Sequence, residues 1–159
     1  MYQVGDKVVH PMHGAGVIDS IVQRKVAGKL ENYYLLKLSV GSMTVMIPTE
    51  NTQEIGVRPV VSGQEAESLI NAMEGIKVDM TQNWNRRYRE NMVRLKSGDL
   101  LEVARVVKGL LIREEQRGLS NGERKMLHTA KQILISELVL AQSLPYKTVE
   151  ENIDTVLSH

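Results

Sequence analysis

In "YYLLKLSV", residues 33–40, Tyr34, Leu36, Leu38 and Val40 fall on one face while Lys37 and Ser39 fall on the other. That two-residue period is the signature of a strand with one side buried. After a Gly41-Ser42 turn, Met43, Val45 and Ile47 repeat the alternation. Upstream, "VGDKVVH", the turn "PMHGAG", "VIDSIVQRKV" and the turn "AGKLE" supply further short strands on short loops. Four or five such strands cannot leave both edges open cheaply, so the pattern predicts a small, strongly bent barrel over residues 1–58.

The period changes near residue 60, and residues 59–64 read as a linker. Ser62 with Glu65 forms a capping box opening a helix that Gly75 closes. The helix around Trp84 ends at Gly98. Asp99 with Glu102 opens another, closed at Gly118, and Ser120 with Glu123 opens a longer one that stops before Pro145. Thr148 with Glu151 starts a last short helix. Residues 65–159 thus predict a five-helix bundle. The fold class is α+β, with a barrel followed by helices.

Composition narrows the possible roles. A chain of 159 residues with no cysteine has no disulfide and no thiolate metal site, which suits a reducing cytoplasm. No apolar run approaches the roughly 18 residues needed to cross a bilayer, and "MYQVGDKVVH" lacks the plan of a signal peptide. A net charge of +1 hides a concentration of base: residues 77–117 carry ten Lys/Arg against six Asp/Glu.

Candidate chemistry is sparse. His10 and His13 lie three apart in "HPMHG", but His128 and His159 sit in the helical part and no carboxylate is close in sequence. "HGAG" has the wrong spacing for a phosphate loop, and no helix follows it. Nothing resembles a nucleophile with its base. The expectation is a protein that is not an enzyme, with no metal, cofactor or small-molecule substrate.

"NWNRRYRENMVRLKSG", residues 83–98, holds the only tryptophan and five Lys/Arg against one Glu. On a helix, Trp84, Tyr88, Met92 and Leu95 share a stripe about 80° wide, which reads as a core face with the arginines as its solvated flank. A second reading stays open beside it. Arg86, Arg87 and Arg89 crowd the positive end of the helix dipole, where acids are preferred. That mismatch costs little if phosphates supply the negative charge, and an indole rimmed by guanidinium groups has the composition of a wedge entering a base step.

"YQVGDKVVHPMHGAGVI", "TVMIPTEN", "NWNRRYRENMVRLKSGDLLEVARVVKGL" and "RGLSNGERKMLHTAKQILISEL" resemble the CarD/CdnL family of bacterial transcription regulators over nearly the whole chain. The resemblance implies a Tudor-like barrel that docks on the lobe of the RNA polymerase β subunit, a module shared with the transcription-repair coupling helicase. It implies a helical domain over promoter DNA at the upstream edge of the melted region, in a bacterial cytoplasmic protein that reaches the nucleoid through polymerase. Trp84 matches the tryptophan that contacts the minor groove at the fork, Arg86 and Arg89 match backbone-contacting positions, and Arg87 lies between them. Arg24 matches a polymerase-facing arginine. Met46, flanked by Val45 and Ile47, stands where some relatives carry another arginine, which removes one charge-assisted contact. The implied function is to stabilise the open complex. The competing reading is an adaptor whose barrel binds polymerase and whose bundle recruits another protein.

Overall fold

A computed structural model describes residues 1–158; His159 lies outside the described residues. The N-terminal unit is a five-stranded antiparallel sheet of β1 (Lys7–His10), β2 (Gly14–Val26), β3 (Lys29–Leu38), β4 (Thr44–Pro48) and β5 (Arg58–Pro59). The strand order is β4-β3-β2-β1-β5, which leaves β4 and β5 at the two edges. The alternation in β3 does what its period requires: Tyr34, Leu36 and Leu38 are buried, and in register across β4 they meet Ile47 and Val45. Met43 departs from the expected face. It precedes β4 in the loop and is exposed, its carbonyl accepting the Leu38 N–H at 3.1 Å. An irregularity between Ile18 and Ser20 shifts the β2–β3 register, as an extra residue in one strand does.

Six helices follow β4 in the chain. The first, α1 (Thr52–Ile55), is a single turn before β5 that the apolar pattern does not announce. The others are α2 (Gly63–Met73), α3 (Trp84–Lys96), α4 (Leu100–Arg117), α5 (Asn121–Gln142) and α6 (Tyr146–Leu157). Ser62, Asp99 and Ser120 cap α2, α4 and α5 through their side-chain oxygens, satisfying amides the helix leaves unpaired. The last helix begins earlier than its expected Thr148 cap. Pro145 is the N-cap, its φ of −62° already suited to the turn, and its carbonyl accepts the Val149 N–H at 3.1 Å.

α4 and α5 form the spine of the helical unit, with Ala104, Val107, Leu110, Leu134, Ile135 and Leu138 fully buried in its core. The sheet has a separate, smaller core around Val8, Ile18, Tyr34, Leu36 and Ile47. Between the two units β2 packs on α5. The Ala15 N–H donates to Ser136 Oγ at 2.8 Å, and the Ser39 hydroxyl donates to the Ser136 carbonyl at 2.8 Å. A Cβ at Gly14 would lie 2.6 Å from Ser136 Oγ, and the residue's φ is +105°. Glycine fits there for both reasons.

Candidate functional site

Asn83 opens α3 by accepting the Arg86 N–H on Oδ1 at 3.0 Å. Trp84 is therefore the first helical residue and overhangs the bundle, 41% exposed. Its ring stacks on Tyr88 with centroids 5.0 Å apart and planes 17° from parallel. Its Nε1–H donates to Ser120 Oγ at 3.0 Å, the same oxygen that accepts the Glu123 N–H at 3.2 Å. The indole thus bridges the starts of two helices. A Cβ built at Gly122 would lie 3.6 Å from the Tyr88 ring and 3.7 Å from the Trp84 ring, at ordinary van der Waals contact, so the start of α5 lies alongside the stacked pair. One edge of the indole is tied down and much of the rest faces solvent, which neither a core residue nor a freely swinging side chain would show.

Of the three arginines after it, two are exposed and one is not. Arg86 is exposed and pairs with Glu90 one turn on at 3.0 Å; Arg89 is exposed. Arg87 is 1% exposed, and its assignment to a DNA-facing set is corrected. Its Nε and Nη2 donate to the Glu123 carboxylate at 2.8 and 3.2 Å, and its Nη1 donates to the carbonyls of Thr81 and Gln82 at 3.1 and 3.0 Å. The buried stripe of α3 is accordingly Arg87, Asn91 and Leu95. Burial pushes the Glu123 carboxyl up, but the hydrogen bond and charge of Arg87, the charge of Arg113 and a backbone bond from Ser120 outweigh it. The net pKa lies below the usual carboxylate value. Arg124 and Lys125 are also exposed in the first turn of α5, the helix whose N-cap Ser120 accepts the indole N–H.

The sheet assembles a second surface. Met46 pairs with Leu35, Leu35 with Ser20, Tyr33 with Val22, and Glu31 with Arg24. Cross-strand partners share a face and residues two apart on a strand do too, so Arg24, Val22, Tyr33, Leu35 and Met46 lie on one side of the sheet. Arg24 and Met46 are exposed, and the three between them are half-buried. Ile47, expected beside Met46 in a docking set, is 1% exposed and belongs to the core. Val45 likewise packs against that core. Adjacent strand residues point to opposite faces, so the three could never act together.

His10 and His13 have ring centroids 4.6 Å apart, and His10 Nδ1 accepts the Met12 N–H at 3.2 Å. Among the described residues no three His, Asp or Glu side chains group closely enough to hold a metal. No helix among them is long and apolar enough to cross a membrane.

Two family descriptions match this chain nearly end to end. Residues 2–61 match "CarD-like/TRCF RID domain", and residues 68–154 match "CarD, C-terminal domain". The chain belongs to the CarD family of transcription regulators. It is 33% identical over 150 residues to "Putative transcription factor YdeB" of Bacillus subtilis (strain 168), covering 94% of this chain and 98% of that one. The role is transcription-associated.

Proposed function

We propose that the sheet docks on the RNA polymerase β subunit while the α3–α5 edge engages promoter DNA at the upstream fork and prolongs the open complex. The observation that carries this reading is the tethered, half-exposed indole of Trp84 on Tyr88, with Arg86 and Arg89 exposed on the same helix and Arg124 and Lys125 exposed at the start of α5. A stacked aromatic pair offers a base a flat apolar surface, and the cations meet phosphates on either side of it. The outer face of the sheet, with Arg24 at one end and Met46 on the edge strand, is the docking surface, and Met46 meets its partner through apolar area.

Trp84→Ala tests the reading. Promoter open complexes formed with the variant should dissociate roughly 5- to 160-fold faster, the range of about 1–3 kcal/mol for one stacked base. Binding of an isolated β-lobe fragment should not change. An unchanged open-complex lifetime with a folded variant would reject the wedge, and the bundle would then serve a protein partner.

A further inference from the structure

The two surfaces lie on different units, and on the function proposed above both must be engaged at once. Covalently the units are joined by residues 60–62 between β5 and α2, and a stretch of that length permits many orientations. The structure replaces that freedom with polar contacts centred on two consecutive residues of α5. Glu137 has no exposed surface, yet its carboxylate accepts from both Arg58 Nη atoms at 2.6 Å and from the Val61 N–H at 3.0 Å. Ser136 holds Ala15 and Ser39, as described above. From the same guanidinium, Arg58 Nε donates to the Gly98 carbonyl at 2.9 Å, in the turn between α3 and α4. β2, β5 and the turn after α3 are thus joined by separate hydrogen bonds to Ser136, to Glu137 and to the Gly98 carbonyl.

We infer that Ser136, Glu137 and Arg58 are positioning residues, setting the angle between the docking face of the sheet and Trp84; this rests on the function proposed above. The geometry makes the angle consequential. Trp84 and Gly98 stand at opposite ends of α3, which at about 1.5 Å per residue is roughly 20 Å long. A tilt of about 10° about the Gly98 end moves the indole roughly 3.5 Å, close to the spacing of bases along one strand. Each surface would keep its own affinity through such a tilt. What would fall is the effective concentration of the second contact once the first has formed. A bidentate guanidinium–carboxylate pair suits this task, because its two parallel bonds fix direction as well as distance.

The test is the full-length Ser136→Ala/Glu137→Gln protein, with Arg58→Lys as a milder variant that keeps the charge and loses the fork. Residual dipolar couplings should fit one alignment tensor for both units in the unaltered protein and require two in the variants. Affinities for a β-lobe fragment alone and for a fork DNA alone should stay within about twofold, while the open-complex lifetime gained from the protein falls at least about fivefold. A single tensor in the folded double variant overturns the inference, and so does a full lifetime effect despite two tensors. If the double variant does not fold, Arg58→Lys is judged by the same criteria. Should the unaltered protein neither bind the β-lobe fragment nor lengthen the open complex, the function proposed above falls, and the tensors alone decide the clamp.

Discussion

α5 buries a carboxylate near each of its ends, and the two are put to different uses. Glu123 in the first turn meets Arg87, and both partners lie inside the helical unit with about 2% or less of either side chain exposed. Glu137, about 21 Å further along and within about 40° of the same helix face, meets an arginine from the sheet whose side chain keeps 28% of its surface. The first pair is sealed among elements that fold together, so its loss damages the bundle itself. The second spans two cores and keeps one partner in solvent, so neutralising Glu137 leaves Arg58 hydrated and is felt as orientation. Identical chemistry therefore supports a site at one end of a helix and a joint at the other.

The strongest way to break this comparison is Arg87→Ala. Stranding a buried carboxylate typically costs about 3–5 kcal/mol, and the carbonyls of Thr81 and Gln82 lose their donor as well. Urea unfolding should show a loss of that size, with Trp84 fluorescence shifting toward that of a solvated indole. A loss below about 1 kcal/mol would mean that the sealed pair is no more structural than the joint.

A middle-sized effect follows from acid. The folded pKa of Glu123 is depressed below the ordinary 4.5. Its stabilisation is therefore fully present above that unfolded value and is lost as the pH falls through the lower folded one. Acid titration of the unfolding free energy should fall more steeply in this range for the unaltered protein than for Glu123→Gln. Parallel curves would remove Glu123 as the source of acid lability.

The smallest expected effect on stability sharpens the other side of the site. Arg86 and Glu90 are an exposed pair at helical spacing, so Arg86→Ala should change stability by less than about 0.5 kcal/mol. The salt dependence of fork-DNA binding should nonetheless lose up to about one unit of slope, one phosphate contact. An unchanged slope would place Arg86 outside the interface.

Local signals carried much of this architecture. The face shared by Tyr34, Leu36 and Leu38, and the caps at Ser62, Asp99 and Ser120, could be read because each depends on residues within four positions of one another. Arg87 could not. Its partner is 36 residues away, and an arginine in a basic run looks solvated until a buried acid claims it. The one available signal was Glu123, whose capping-box position brings its carboxylate to the start of α5, where Ser120 also takes the indole N–H. Ile47 adjoins Met46 in sequence, yet the strand period that places Tyr34 inside places Ile47 inside too. The single turn of α1 is too short to carry an amphipathic pattern. The contacts of Ser136 with Ala15 and Ser39 join residues about a hundred positions apart, and no local pattern encodes them.

Gly14 turns the absence of cysteine into an engineering opportunity. A Cβ built there lies 3.5 Å from the Cβ of Ser136, within the range a disulfide spans. A cysteine pair at these two positions would meet no competing thiol elsewhere in the chain. The positive φ of Gly14 would strain the bridge, and a strained bridge is more readily reduced. The joint could then be latched by a mild oxidant and released by a mild reductant, converting a fixed hinge into a redox-operated one.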